Sequence, residues 1–241
     1  MPMLRTSTIF GLTLSLLVSS SLAQTTGEAK RIPWNDSKVV GSPDPITPYK
    51  TVQAFPNLNL RQPLTLLPEP DTKRLFLLNH LGGWSGPSEI HAIADDQNVS
   101  ETKVLLKTNG LAVGFAFHPD YEHNGYLYVG MNENHKGRNS TLVRRYTVSR
   151  TAPFEVDPSS AFHIIDWPSH GHDGGDLTFG NDGYLYVSSG DGTAGSDPPQ
   201  TGQRIDDLNA SILRIDVDHP ANGLNYGIPK DNPFLDRPKA R

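Results

Sequence analysis

Phe115-Ala-Phe-His-Pro-Asp120 followed by Gly125-Tyr-Leu-Tyr-Val129, and Leu177-Thr-Phe-Gly-Asn-Asp182 followed by Gly183-Tyr-Leu-Tyr-Val187, are two copies of one pattern. Each has a short apolar strand, a turn made of Pro, Asn, Asp and Gly, and a second strand that alternates aromatic and aliphatic side chains. Asn, Asp and Gly tolerate positive φ, so Asn181-Asp182-Gly183 fits the turn of a β-hairpin. The alternation from Tyr184 to Ser188 suits a sheet buried on both faces. A weaker copy runs through Leu64 to Leu67, Pro70-Asp71 and Arg74-Leu-Phe-Leu77. With Arg74, Tyr126 and Tyr184 equivalent, the copies lie 52 and then 58 residues apart. Four-stranded propeller blades repeat at roughly 40 to 50 residues, longer where loops are inserted. A parallel β-helix repeats faster, and a sandwich need not repeat. The chain is therefore read as all-β, built from blades of a β-propeller.

Working outward, further short strands are expected at 89–94, 103–106, 142–148, 162–166 and 212–217, and no window holds a 3.6-residue period over three turns. Gly 22 and Pro 20 agree with a turn-rich fold. Residues 51–241 have room for about three to four blades. A propeller closes by pairing its last blade with its first, so the expectation is the N-terminal part of a longer protein. Its open blade faces should leave it prone to aggregate and unable to hold a cofactor tightly.

Residues 1–23 read as a secretory signal: Arg5, an apolar core from Ile9 to Val18, and small residues ending at Ala23. The apolar core is too short to span a bilayer comfortably, so a secreted or periplasmic protein without a membrane span is expected. Residues 24–50 are proline-rich and read as an arm or linker. A net charge of -5 with pI near 6.0, and no basic face apparent in the sequence, argue against nucleic acid as the partner. With Cys 0, disulfides and thiolate metal sites are excluded.

The chemistry gathers between His170 and Asp191. A polar corner carries His170, His172, Asp173 and Asp176, the hairpin follows, and a loop rich in Gly and Asp, Gly190 to Asp197, comes after it. Two polar loops thus bracket one hairpin, which is how a site is grafted onto a β scaffold. Imidazole is the side-chain type suited to general-base work near neutral pH, so His172 could serve as a general base; a loop histidine bonded to a backbone carbonyl is the alternative. The His170-x-His172 pair could share a metal, but no third ligand is obvious. His118 reads as a turn residue beside Pro119. Oxygen ligands on the Gly190–Asp197 loop would suit calcium, although the closing glutamate of an EF-hand is missing.

Several of these segments resemble the glucose/sorbosone dehydrogenase family, soluble aldose dehydrogenases that use pyrroloquinoline quinone (PQQ) on six-bladed propellers. The resemblance rests on Asn109-Gly-Leu-Ala-Val-Gly-Phe-Ala-Phe-His-Pro-Asp-Tyr121 with Asn124-Gly-Tyr-Leu-Tyr128, His172-Asp-Gly-Gly-Asp-Leu177, Gly183-Tyr-Leu-Tyr-Val-Ser-Ser-Gly-Asp191, and Ser211-Ile-Leu-Arg-Ile-Asp216 with Ile228-Pro-Lys-Asp-Asn-Pro233. It covers roughly residues 55 to 235. It implies that His172 is the catalytic base, that Thr108, Asn109 and Asp191 border the cofactor, and that a sugar is the substrate. It also implies an electron acceptor such as a c-type cytochrome. The Arg-Asn pair that holds the quinone in the family, and the carbonyls that hold its calcium, fall beyond Arg241. Two departures stand out. Thr108 replaces the family's usual Gln, and Asp176 replaces a basic residue. Hedgehog-interacting proteins share the domain without being established sugar oxidases. A non-catalytic propeller that binds carbohydrate or protein on its loop face is therefore the alternative function.

Overall fold

In a computed structural model the chain divides into two compact units, residues 1–51 and 52–241. The structure describes residues 49–193 and 195–237. The expected signal segment, and all but the last two residues of the arm, lie outside them. All the described strands belong to the second unit.

Eleven strands form three antiparallel sheets, each a meander in chain order. The first sheet joins β1 (Pro63–Pro68), β2 (Arg74–His80), β3 (Ser88–Ala94) and β4 (Lys103–Lys107). The second joins β5 (Leu111–Phe117), β6 (Tyr126–His135), β7 (Arg138–Val148) and β8 (Val156–Pro168). The third has three strands, β9 (Gly174–Phe179), β10 (Leu185–Ser189) and β11 (Ile212–Ile215). A one-turn helix, α1 (Tyr121–Asn124), sits between β5 and β6. The repeat is borne out: Arg74 and Tyr126 open the second strands of their sheets, and Tyr184 immediately precedes β10.

Alternation along the middle sheet explains the stacking. Leu127, Val129 and Met131 of β6 enter a core shared with Phe76, Leu78, Ile90 and Leu106 of the first sheet. Tyr128, between them in sequence, enters the other core with Leu177, Leu185, Val187 and Ile215 of the third sheet. Successive side chains on a strand point to opposite faces, so one sheet supplies both cores. This propeller-like stack also brings sheets very close. A Cβ on Gly130 would lie 1.8 Å from the Gly175 carbonyl oxygen, and one on Gly114 would lie 2.0 Å from Asp176 Oδ1.

Turns follow their residues. Gly183 adopts φ 81, and its N–H donates to the Gly180 carbonyl at 3.0 Å, closing the β9–β10 hairpin. Lys136 and Gly137, at φ 53 and 82, turn β6 into β7 with the positive-φ pair that matches strand twist. Strands β6 to β8 run further than the sequence pattern indicates, up to 13 residues in β8. The extra length is mostly polar, with Val156 and Trp167 as isolated apolar residues, so it lacks the apolar alternation by which strands are recognised. Pro158 is tolerated because β8 is the edge of its sheet.

His118 is not merely a turn residue. It is buried, its Nδ1 accepts from the Asp120 N–H at 3.0 Å, and its Nε2 therefore carries the proton facing Asp218 Oδ1 at 3.1 Å. It ties the second sheet to the chain beyond β11. At the other interface Glu69, fully buried, accepts from Arg74 at 2.6 and 2.7 Å and from the Tyr121 hydroxyl at 2.7 Å. Burial by itself would raise its pKa, but the bonds from Arg74, Tyr121 and Thr72 outweigh this and hold the carboxyl below its ordinary value.

Candidate functional site

The segment between β8 and β9 carries His170, His172 and Asp173, and it is zipped to the segment after β10. His170 N–H donates to Gly192 O at 2.9 Å, His172 N–H to Thr193 O at 2.7 Å, and Gly192 N–H to His172 O at 3.0 Å. Gly190 N–H donates to Asp173 O at 3.0 Å. The two polar loops that bracket the hairpin in sequence therefore form one platform. Gly190 is required for it, since a Cβ there would sit 1.9 Å from His172 O. The His172 backbone is engaged while its ring stays two-thirds exposed, with Nδ1 3.6 Å from Asp191 Oδ1.

The second sheet braces this platform. The Thr141 hydroxyl lies 2.9 Å from Asn132 Oδ1 and 3.0 Å from Ser169 Oγ, and Asn132 Nδ2 donates to Gly174 O at 3.3 Å. Gly174 and Gly175, at φ 73 and 109, let the chain turn from the platform into β9 in a region side chains resist.

Above the platform is a cleft of about 970 Å³. One wall is Asn109 to Leu111, another is the β6–β7 hairpin with Asn132, Glu133, Asn134 and Asn139, and the floor is Ser169 to Gly174. Most of the residues that line it carry polar side chains, Asn, Ser, Glu, Asp and His among them, with Leu111 and Val113 between them. Glu133 bonds Arg144 through Oε1, while its Oε2 is buried with no partner. Sequence reasoning misses these hairpin residues because nothing local marks them. The pairing of β6 with β5, which sets Asn132 opposite Leu111, and of β6 with β7, which sets Asn134 opposite Asn139, brings them to the cleft.

The expected site residues separate here. His172 and Asn109 both line the cleft, and Asp191 stands beside His172. Thr108 does not line it. Thr108 is buried, its hydroxyl donating to Gly110 O at 2.7 Å and accepting from Ser88 N–H at 3.1 Å. Asp176 turns its carboxylate toward Gly114 on β5 and accepts from Leu177 N–H at 2.9 Å. The calcium expectation for the Gly190–Asp197 loop finds no preassembled ligand set among the described residues. Asp191 Oδ1 accepts from Thr193 N–H at 3.0 Å, and Asp197 accepts from Thr201 and Gly202 N–H at 2.8 and 2.9 Å. These amide bonds, Gly202 foremost, hold Asp197 below the usual carboxylate range. His170 and His172 gain no third ligand among the described residues. The described group able to surround a metal is His135, His163 and Asp166.

A separate apolar recess of about 390 Å³ lies on the third sheet, lined by Ile212, Ile228, Tyr226 and Phe234 among others, away from His172. No described helix is long and apolar enough to cross a membrane.

Comparison with known proteins gives a consistent set. The sequence profile of the Glucose / Sorbosone dehydrogenase family matches residues 60–241. Human Hedgehog-interacting protein is 32% identical over 196 residues, covering 73% of this chain and 27% of that protein. Quinoprotein glucose dehydrogenase B of Acinetobacter calcoaceticus is 31% identical over 146 residues, 52% of this chain and 29% of that one. The PQQ-bound aldose sugar dehydrogenase of Streptomyces coelicolor superposes with a TM-score of 0.53 at 21% identity, over 68% of this chain and 48% of that one. At that identity the likeness speaks to fold alone. The chain spans less than a third of these curated relatives and about half of that solved structure.

Proposed function

Because the chain belongs to the glucose/sorbosone dehydrogenase family, we propose that its three sheets are consecutive blades of a six-bladed propeller, and that the cleft at their rim binds a sugar for oxidation at its anomeric carbon. The observation that carries this reading is His172. Its backbone is held through both N–H and carbonyl, its ring is open to the cleft, and Asp191 lies beside Nδ1. With the Nδ1 proton turned toward Asp191, Nε2 is left to accept the proton of a sugar hydroxyl. The Asp191 carboxylate then stabilises the imidazolium that forms, as in other aspartate–histidine pairs. The amides of Asn109, Asn134 and Asn139 supply both acceptors and donors, as a polyhydroxylated ring needs.

PQQ, the cofactor bound by the Streptomyces relative, bears three carboxylates, and carboxylates are held by Arg or Lys. The described lining of this cleft contains neither, and it includes Glu133 and Asp173. The residues present do not fit that quinone by themselves. They fit the sugar and the proton it gives up. A secreted or periplasmic location, supported by the signal-like residues 1–23, belongs to the same reading.

The test is turnover of aldoses with an artificial acceptor by a protein in which this chain is joined to the blades that complete the propeller, after PQQ and calcium are added. His172→Ala should lower turnover by about 10²- to 10⁴-fold, the usual worth of a general base, with sugar binding retained. Wild-type turnover in that variant sinks the assignment. A second reading, a non-catalytic propeller that binds on its loop face, is favoured by the likeness to Hedgehog-interacting protein over 73% of the chain. The hydroxyl of Thr108, engaged by the backbone, also favours it. Binding of a carbohydrate or protein that His172→Ala leaves unchanged, with no aldose oxidised, would establish that reading instead.

A further inference from the structure

Away from the platform, the end of β6 and the outer strand β8 bring together two imidazoles and a carboxylate. The rings of His135 and His163 are nearly parallel, 12° apart with centroids 5.0 Å distant. His163 Nε2 lies 3.0 Å and His135 Nε2 3.9 Å from the same oxygen, Asp166 Oδ1. One donor atom from each residue falls within 4.8 Å of the others. Asp166 Oδ2 is held by Arg138 Nη2 at 2.6 Å, which fixes the carboxylate and leaves Oδ1 facing the rings.

We propose that His135, His163 and Asp166 bind one late first-row divalent cation, zinc being the natural probe, and that the ion pins the β6–β7 hairpin to β8. Zinc–ligand bonds of about 2.0 to 2.2 Å at tetrahedral angles put neighbouring donor atoms roughly 3.4 Å apart, and the observed 3.0 and 3.9 Å bracket that figure. Two nitrogens and one carboxylate oxygen are a common donor set for zinc, with a fourth position open to water.

An ion-pair cluster alone leaves a residue unexplained. His135 Nε2 and His163 Nδ1 are both buried with no hydrogen-bond partner, and buried polar atoms are seldom left so. A cation between the rings accounts for His135 Nε2 directly. His163 would coordinate through Nε2, the nitrogen that faces Asp166 Oδ1. Lys136 Nζ, 3.7 Å from Asp166 Oδ1, is 70% exposed and free to swing aside as an ion enters.

The consequence for the cleft is positional. Asn134 and Asn139 of its wall flank the hairpin that begins at His135 and Arg138, and Asp166 lies just before the platform residue Ser169. The inference stands apart from the sugar reading, because it uses no residue of the platform.

The untagged full chain is dialysed against zinc, the bound metal counted, and the affinity measured by competition with a chromophoric chelator. One zinc per chain is expected, together with a melting temperature that rises in zinc. His135→Gln and His163→Gln should each weaken binding by more than the ~10- to 100-fold that loss of an outer-shell partner costs. The His170→Ala/His172→Ala double variant should bind as wild type. If His163→Gln fails to fold, His135→Gln at the hairpin end decides. Cobalt in place of zinc should give the visible bands of four-coordinate geometry. Folded protein that retains no zinc, zinc unaffected by His135→Gln, or zinc lost with His170 and His172 would each overturn the site.

Discussion

Glu69 shows how one side chain can join two sheets. Its carboxylate accepts from Arg74 beside it and from Tyr121 at the start of α1, so it bridges the first and second sheets from a fully buried position. Removing one partner of a buried charge cluster typically costs about 3 to 5 kcal/mol, and Glu69→Gln is expected to lose roughly that much at neutral pH. The folded-state pKa is depressed from the ordinary 4.5. Its stabilisation is therefore present above that value and is lost as pH falls through the folded value. Denaturant titrations from pH 7 to pH 3 should show the gap between wild type and variant closing on the acid side. A gap that stays constant would mean that Glu69 is not the group responsible. Thr108 gives a second residue-scale expectation. Thr108→Val leaves the Ser88 N–H without its side-chain acceptor and should cost about 1 to 3 kcal/mol, while sugar affinity is unchanged because the hydroxyl faces the backbone.

At the scale of elements, the contact between β6 and β9 governs how the site is placed. Gly130 lies outside the left-handed region, so Gly130→Ala would not strain φ. Its cost is the collision with the Gly175 carbonyl. A rigid backbone atom cannot step aside as a side-chain tip can, so the variant should lose roughly 1 to 3 kcal/mol or more. It should also weaken sugar binding, because β9 carries the His172 platform. An unchanged melting temperature would show that the sheets have room to separate. The same elements show what the sequence could reveal. The β9–β10 hairpin was legible because Asn181-Asp182-Gly183 can hardly do anything but turn. Strands β2 and β6 were legible because their alternation serves two cores. The far ends of β6, β7 and β8 were not, since most of their residues are polar and only Val156 and Trp167 at the ends of β8 reach the cores. The place of His172 on a polar loop beside the cleft was legible from its motif. Asn132, Glu133, Asn134 and Asn139 were not, and neither was the grouping of His135 with His163 and Asp166, because each depends on strand pairing rather than on local pattern.

For the molecule as a whole, the third sheet is covered on one side only as far as the described residues reach. Ile212 is 70% exposed, and Leu213, Tyr226, Ile228 and Phe234 surround the recess beside it. An apolar patch of this kind promotes association. The isolated chain is expected to self-associate with rising concentration, and Ile212→Lys should shift light scattering toward the monomer without lowering the melting temperature. Scattering that is the same in both would locate the sticky surface elsewhere.

Gly114, Gly130, Gly174, Gly175 and Gly190 have one further implication, for how such chains are classified. The paired glycines of the His172-Asp-Gly-Gly-Asp-Leu177 signature are there because both adopt positive φ in the turn into β9 and a Cβ on Gly174 would press on Gly190 N and Ser188 O. A lineage that abandoned oxidation would still have to keep those glycines to fold at all. A scan of all substitutions, read once for cellular abundance and once for turnover, should therefore split the signature in two. The glycines would fail the first assay, whereas His172, two-thirds exposed and held through its backbone, would pass the first and fail the second. Membership assigned by such a signature thus records ancestry and packing. Whether a given member still performs the chemistry is written in the few exposed side chains that packing leaves free to change.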